Sequence, residues 1–382
     1  MKSVFSALLG IIMMLTSMSF GLQSCNANLN KDISTKEPYN SNCPTKNILN
    51  IKSSDINKDK IDFDSMQNLI DKGGIVVVNN DLKSNISLCK KLNMNFEPEF
   101  LDSGNKESTD DGAGTDLVTM YYSYQDGSSG IYVINTQNNI TENEKNRLVS
   151  EAIDEIYIDQ RTDSLSGLSD TSPSKSKSSN GKRLGTFTVT ATCQPKGKLR
   201  TRYSFFTVQD YYGEDYYTVK AFIDGYPGKV LSTENSDYKS SFYGLSLNNS
   251  VSTSTSSVTL LSYGPYRTVK ATSYSVSVGG AFSKASGAEF NANFEYSKNI
   301  SDTDIEASST TKKAYWNITL KSTARKKTIS FVPAATYVCP QDKGSVTFSL
   351  SADYTLDSLT TLRETISVNR NIVCSPSGWR NA

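Results

Sequence analysis

Residues 272–297 alternate strictly between apolar and small or polar side chains, in two stretches separated by the turn Lys284-Ala285-Ser286-Gly287. Because successive side chains of a β-strand point to opposite faces, a period of two predicts an antiparallel hairpin with one apolar and one polar face. The predicted apolar face consists of Tyr274, Val276, Val278, Gly280, Phe282, Ala288, Phe290, Ala292, Phe294 and Tyr296. The opposite face includes Ser275, Ser277, Glu289, Asn291, Asn293 and Glu295.

Two interpretations of this hairpin are open. Each arm has about ten residues, the length that a tilted strand needs to cross a hydrocarbon layer of roughly 30 Å. One hypothesis is therefore a membrane-inserting hairpin, whose polar face lines a water-filled lumen. The other is a hairpin that packs its apolar face on a soluble core, because that arrangement gives the same alternation.

Composition excludes several classes of function. The 382 residues include no histidine, which removes Ser-His-Asp and Cys-His catalysis and His-ligated metals. The 40 basic and 39 acidic side chains nearly cancel, so the chain lacks the charge of a nucleic-acid binder. No two cysteines have zinc-site spacing, and the acidic stretch 110–116 does not match a calcium loop and is predicted to be a solvated loop. We expect no catalytic residue, no metal and no cofactor. A hydrolase that uses Asp/Glu pairs is only a third hypothesis.

The first 24 residues have the pattern of a secretory signal peptide, with Lys2 followed by an apolar run. Leu22-Gln23-Ser24-Cys25 also resembles a bacterial lipobox, in which Cys25 is the lipidated residue. The sequence therefore predicts a secreted protein. Lipid anchoring at the bacterial cell envelope before release is the alternative to simple cleavage, which would leave Cys25 as an ordinary thiol.

Export permits disulfide bonds. The six cysteines allow several connectivities, and proximity along the chain favours Cys43 with Cys89 and Cys339 with Cys374.

Changes in pattern divide the chain after the signal into four parts. Residues 25–60 are a polar tether, residues 61–161 a small α/β domain, residues 162–183 a Ser/Lys-rich linker, and residues 184–382 an all-β domain. The predicted fold class is thus an α+β N-terminal domain followed by an all-β, sandwich-like domain that carries the hairpin. Within the first domain, Thr141 and Glu144 form a capping box that opens a helix with Leu148, Ala152, Ile153 and Ile156 on one face.

The linker contains basic residues in a context that buries little surface. Lys182 and Arg183 end it and are candidate sites of an activating cleavage by a trypsin-like protease. The alternative is a plain interdomain linker.

Aromatic residues are dense between residues 203 and 226. Adjacent pairs in a strand point to both faces, so some of these tyrosines are expected at the surface, where aromatic rings beside Arg200 and Arg202 can hold a sugar or a lipid headgroup. The candidate contact residues are Tyr211, Tyr212, Tyr216, Tyr217 and, near the C-terminus, Trp379. Packing of the same tyrosines in the core is the alternative.

Three stretches, residues 274–280, 293–301 and 314–318, resemble the leukocidin/haemolysin family of β-barrel pore-forming toxins. The family pre-stem has a Gly-Gly strand, a turn, a Phe-Asn-Tyr-Ser-Lys-type strand leading to Ile-Ser, and then a Trp-containing cap strand. Here these features correspond to Gly279-Gly280, the stretch from Asn293 to Lys298, Ile300-Ser301, and Trp316.

The resemblance implies a soluble monomer whose pre-stem, about residues 269–307, is folded against a cap. It further implies assembly of a ring-shaped homo-oligomer on a target-cell membrane, with membrane lipid or a surface glycan as partner. The preceding domain and linker look like the pro-domain arrangement of vibrio-type cytolysins. A different class of function stays open, namely a cell-surface lipoprotein that binds glycans or host protein through its tyrosine-rich β domain.

Overall fold

The structure is a computed structural model of the chain. It describes residues 47–52, 56, 62–79, 82–92, 94, 96–99, 114–166, 182–209, 214–266, 274–278, 292–296, 303–340, 345–358 and 363–374.

The N-terminal part alternates strands and helices, as the sequence predicted. Its elements are β1 (Ile48–Ile51), α1 (Phe63–Asp71), β2 (Ile75–Asn79), α2 (Leu82–Lys91), β3 (Phe96–Pro98), β4 (Thr115–Ser123), β5 (Ser129–Thr136) and α3 (Glu142–Ser166). Helix α1 begins after Asp62, whose carboxylate accepts hydrogen bonds from the backbone N–H groups of Asp64 and Ser65. Met66 and Ile70, one turn apart, are its buried residues.

The described residues from 182 onwards are almost entirely β-structure. It contains β6 (Lys182–Cys193), β7 (Gly197–Gln209), β8 (Glu214–Pro227), the short α4 (Gly228–Leu231), β9 (Phe242–Thr253), β10 (Thr259–Gly264), β11 (Tyr274–Val278), β12 (Ala292–Tyr296), β13 (Thr303–Ser309), β14 (Lys313–Leu320), β15 (Ile329–Phe331), β16 (Ala334–Pro340), β17 (Val346–Ser358) and β18 (Arg363–Cys374). The predicted fold class, α+β followed by a sandwich-like all-β part, is confirmed.

The strands form two large sheets and one separate hairpin. Sheet A has the order β1-β2-β4-β5-β6-β7-β8-β16-β10, with β15 also paired to β8. Sheet B has the order β13-β14-β9-β17-β18-β3, and β11 pairs only with β12 among the described strands.

The main core lies between sheets A and B, where β17 and β18 lie over β6, β7 and β8. Strand β17 alternates between buried and half-buried residues along its whole length. Its buried side chains include Phe348 and Tyr354, and Phe348 packs edge-on against Tyr337 of β16. This alternation is the period of two expected of a strand that turns one face to a core.

A second, smaller core lies between the other face of sheet A and helix α3. Leu148, Ala152, Ile153 and Ile156 of α3 are buried there, as predicted. The capping residue is also confirmed, because the backbone N–H of Glu144 donates to the Thr141 hydroxyl at 3.1 Å. The Glu144 carboxylate itself accepts from Tyr238, Asn235 and Arg147, which fixes the start of α3 to the segment after α4.

Strands from both sides of the predicted linker belong to one sheet. Strand β5 pairs in parallel with β6, in a register that runs from Ser129 opposite Gly185 to Thr136 opposite Thr192. Helix α3 is therefore the crossover helix of a β5–α3–β6 unit. The composition of residues 162–183 predicts an interdomain linker, and in the structure the strands before and after it, β5 and β6, are neighbours in sheet A.

Within the described residues, no helix combines the length and apolarity needed to cross a membrane.

Candidate functional site

The predicted hairpin is present as the antiparallel pair of β11 and β12. Its register places Tyr274 opposite Tyr296, Val276 opposite Phe294, and Val278 opposite Ala292. Ser275 lies opposite Glu295, and Ser277 opposite Asn293. Directly opposite residues of an antiparallel pair share a face, so the register separates an apolar set from a polar set, as the sequence predicted. Phe282, Glu289, Phe290 and Asn291 lie outside the described residues.

The hairpin connects two edge strands. Strand β10, which precedes it, is an edge of sheet A, and β13, which follows it, is an edge of sheet B. Both edges lie on the same side of the sandwich, because the Leu260 N–H of β10 donates to the Thr311 carbonyl, in the turn after β13, at 2.7 Å. Strand β11 lies beside β10 and β16, and neither β11 nor β12 joins the backbone ladder of a described strand in the two large sheets. A two-stranded hairpin without further pairing is marginally stable in water.

The end of β10, ahead of the hairpin in the chain, is fixed to the sandwich by Trp316 of β14. Its side chain is fully buried, and its indole N–H donates to the Pro265 carbonyl at 3.0 Å. Tyr263 packs edge-on against Trp316 and against Tyr266, with ring centroids 6.0 and 4.8 Å apart. Tyr266, two residues after the end of β10, is 58% exposed, so its aromatic side chain faces solvent.

The residues predicted as a protease site begin strand β6. Lys182 is paired with Thr207, and Arg183 with Phe206, in the ladder to β7. The Arg183 guanidinium bonds to Asp126 at 2.9 Å and stacks on the Tyr124 ring at 3.8 Å. A protease therefore meets the Lys182–Arg183 bond in extended, paired backbone and needs local opening of β6 to cut it.

Two of the five residues of the predicted aromatic surface are buried in the structure. Tyr216 and Tyr217 are 5% and 1% exposed, so they are not surface contact residues. Tyr217 packs in the sandwich core near Phe348, and the hydroxyl of Tyr216, on the other face of β8, donates to Glu214 at 2.9 Å. Tyr211, Tyr212 and Trp379 lie outside the described residues.

Neither favoured disulfide bond is present in the part of the chain that the structure describes. Cys89 and Cys374 have free thiols, and both are buried. Burial raises the pKa of the Cys89 thiol to about 12 and raises that of Cys374 even further. Cys25 and Cys43 lie outside the described residues, so the Cys43–Cys89 pairing stays a prediction, whereas Cys374 has a free thiol in the structure in place of the predicted bond to Cys339.

The acidic stretch before β4 ends in a buried ion pair. Asp116, predicted in a solvated loop, is 1% exposed, and its carboxylate accepts from Arg370 of β18 at 2.5 Å and from Asn135 at 2.9 Å. Among the described residues, no group of three side chains is placed to hold a metal ion.

Sequence reasoning missed a ladder of ion pairs between α3 and β7. Glu151, Glu155 and Asp159 of the helix bond to Lys198, Arg200 and Arg202 of the strand. Four helical residues rise about 6 Å and two strand residues about 6.6 Å, so the two rows of charges match in pitch. The signal was present in the sequence as acidic residues at a spacing of four and basic residues at a spacing of two.

Comparisons with known proteins give structural matches only. No family model and no curated protein sequence matches the chain. A solved structure titled pore forming protein has 10% identity and a TM-score of 0.28, covering 49% of this chain and 88% of its own. The membrane-inserted form of the Clostridium perfringens NetB toxin has 8% identity and a TM-score of 0.25, with coverages of 51% and 97%. Clostridium perfringens delta-toxin has 11% identity and a TM-score of 0.26, with coverages of 46% and 82%.

Proposed function

We propose that this chain is a secreted, pore-forming toxin-like protein that assembles with copies of itself on a target membrane and inserts the hairpin of β11 and β12. The observation that carries the proposal is the register of the hairpin, which sets Val276 opposite Phe294 and Ser277 opposite Asn293. A strand that faces lipid on one side and water on the other needs this separation.

The place of the hairpin supports the same proposal. It connects edge strands β10 and β13. Among the described strands it forms no backbone pairing with either large sheet, so the hairpin can move away from the sandwich without breaking the backbone hydrogen bonds between the paired strands of those sheets. The bond from Trp316 to Pro265 holds the sandwich end of the connection while the hairpin moves. In lipid, the hairpin needs neighbours on both sides, since unpaired backbone groups are costly there, and only a closed ring of copies supplies them. Insertion and oligomerisation are therefore coupled in this proposal.

Proteolytic activation is part of the proposal. Lys182 and Arg183 are paired with β7, so a cut at these residues needs local opening of β6. The second function class is a surface lipoprotein that binds through exposed tyrosines. Burial of Tyr216 and Tyr217 removes two of its candidate contact residues.

Neighbouring residues of β11 provide a matched test. Purified protein, with and without limiting trypsin, is assayed for dye release from liposomes and for lysis of erythrocytes. Val276→Asp places a charge on the proposed lipid face and is expected to abolish release, because a charge inside the hydrocarbon layer costs on the order of 2 kcal/mol per subunit. Ser277→Asp adds the same charge to the proposed lumen face and is expected to keep release.

The ring is tested on the same samples. Unheated electrophoresis is expected to show a heat-labile oligomer for the parent chain and for Ser277→Asp. Glu295→Lys, on the proposed lumen face, is expected to shift single-channel selectivity towards anions. Equal activity of Val276→Asp and Ser277→Asp, or lysis without an oligomer, would overturn the proposal.

A further inference from the structure

Exposed apolar side chains lie along β10, the edge strand of sheet A that precedes the hairpin in the chain. Among the described residues, three large hydrophobic side chains are exposed, and two of them are Leu261, in β10, and Tyr266, just after it. Leu261 lies at a β-bulge, where the register of β10 with β16 shifts, and is 44% exposed. One exposed apolar side chain needs no explanation, but two along one sheet edge are a candidate contact surface.

The position of Tyr266 is fixed by packing. Its ring lies edge-on to the ring of Tyr263, which packs in turn against the buried indole of Trp316. The same indole donates to the carbonyl of Pro265, the residue before Tyr266. An aromatic ring that is held in this way loses little conformational entropy when it contacts a partner.

The segments around β10 carry two positive charges. Residues 240–266 contain no charged side chain. The turn after β13 lies against β10, because its Thr311 carbonyl accepts the Leu260 N–H, and this turn carries Lys312 and Lys313. The Lys312 ammonium group bonds to two backbone carbonyls before β10, and that of Lys313 lies 5.7 Å from the centroid of a tyrosine ring. Within the described part of the chain, neither lysine is paired with a carboxylate, so an anionic surface can neutralise both.

We infer that this β10 surface, formed by Leu261, Tyr266, Lys312 and Lys313, contacts the headgroup region of a bilayer that contains anionic lipid. A leucine and an amphipathic tyrosine ring suit the boundary between headgroups and hydrocarbon, and lysines are attracted to anionic headgroups. The inference rests on the proposed function, because the hairpin brings this edge of the sandwich to the membrane. Tyr266 lies eight residues before Tyr274, so their Cα atoms are at most about 28 Å apart and the surface stays near the bilayer when β11 enters it.

Vesicle flotation tests the surface apart from insertion. All variants are made in the Val276→Asp background, which the proposed function expects to be unable to insert. Binding is measured to vesicles of phosphatidylcholine mixed with phosphatidylserine, and to vesicles of phosphatidylcholine alone. The Val276→Asp protein is expected to float with the mixed vesicles without releasing dye.

The apolar contacts are tested by substituting both side chains. Leu261→Ser combined with Tyr266→Ser is expected to weaken binding to the mixed vesicles by about tenfold or more, because apolar surface is no longer removed from water. Ile158→Ser is the matched control, since Ile158 is 61% exposed but belongs to α3, on the other face of sheet A. It is expected to change binding by less than about twofold.

The charge is tested by Lys313→Gln, since Lys313 is exposed. This variant is expected to bind the mixed vesicles about fivefold more weakly, which is the contribution of one lysine near an anionic surface, and to bind phosphatidylcholine alone as before. Lys72→Gln, at an exposed lysine after the end of α1, is the control and is expected to change neither.

One variant separates loss of contact from loss of structure. Tyr266→Phe keeps the ring that packs on Tyr263, so it is expected to remain folded and to float as the Val276→Asp protein does. Equal binding after the double serine substitution and after Ile158→Ser, or equal binding of the Val276→Asp protein to both kinds of vesicle, would overturn the inference.

A contact between copies of the chain is the other occupant that the tests recognise. If the double serine substitution in the parent chain abolished the heat-labile oligomer while flotation stayed unchanged, the surface would belong to that contact and the inference would be wrong. Flotation does not require dye release, so failure of pore formation is distinguished from failure of the β10 surface.

Discussion

The carboxylate of Asp116 in β4 bonds to the guanidinium of Arg370 in β18 at 2.5 Å, and both side chains are fully buried. The two residues are 254 positions apart in the chain. Asp116 belongs to sheet A and Arg370 to sheet B, so this ion pair joins the two layers of the sandwich. It also joins the N-terminal α/β segment to the C-terminal strand, which favours a single cooperative unit over two separable domains.

Loss of one partner of this pair is expected to be strongly destabilising. Arg370→Met leaves Asp116 as a buried charge without its guanidinium, which typically costs about 3–5 kcal/mol. The free energy of unfolding, measured by urea denaturation, gives the value. Asp304→Asn is the control, because the Asp304–Lys321 pair is 57% and 54% exposed and such pairs contribute at most about 1 kcal/mol. A similar loss in both variants would contradict the structural role of the buried pair.

Acid is expected to weaken the attachment of α3 through Glu144. Burial by itself raises the pKa of Glu144, but hydrogen bonds from Arg147 and Tyr238 outweigh it and hold the pKa below its ordinary value. A lowered pKa contributes stability that is present above the unfolded pKa, about 4.3, and is lost as the pH falls through the folded value. Glu144→Gln should therefore be less stable than the parent at pH 7, with a smaller difference at pH 3.

Urea midpoints at the two pH values test this prediction. Glu142→Gln, in the same first turn of α3 but exposed, controls for loss of charge near the helix N-terminus. A difference between Glu144→Gln and the parent that stays constant from pH 7 to pH 3 would argue against the carboxylate as the cause.

The thiols of Cys89 and Cys374 are expected to be unreactive in the native protein. Both are buried, and the raised pKa of each keeps the thiolate population negligible at pH 8. Thiol titration with a chromogenic disulfide should detect them only after unfolding in urea. Peptide mapping without reduction is the independent check, and a Cys339–Cys374 cross-linked peptide would contradict the arrangement in the structure.

A cut in the connection between α3 and β6 is expected to leave the two fragments together. The register of β5 with β6, the α3 core and the Asp116–Arg370 pair all hold the N-terminal segment to the rest of the chain. Trypsin-nicked protein should therefore elute as one species in gel filtration and separate into two in urea. Elution as two species without denaturant would contradict this and would support a releasable pro-domain.

Local pattern in the sequence determined the elements of this protein. The period of two in residues 272–297 and in β17, and the capping box of Thr141 and Glu144, depend on neighbours a few residues apart, and the structure contains the corresponding hairpin, strand and helix. The absence of histidine from the sequence likewise restricts the chemistry open to the chain.

Only the tertiary structure decided which distant groups meet. Sheet B covers the face of sheet A that carries Tyr217, and Tyr216 on the opposite face is buried as well, although adjacent strand residues suggested a surface. The parallel pairing of β5 with β6 joined segments that the sequence divided. Asp116 meets Arg370 only because sheet A packs on sheet B and because β4 and β18 each have one strand register within their sheets. A local pattern of residue types carries no information about the packing or the registers.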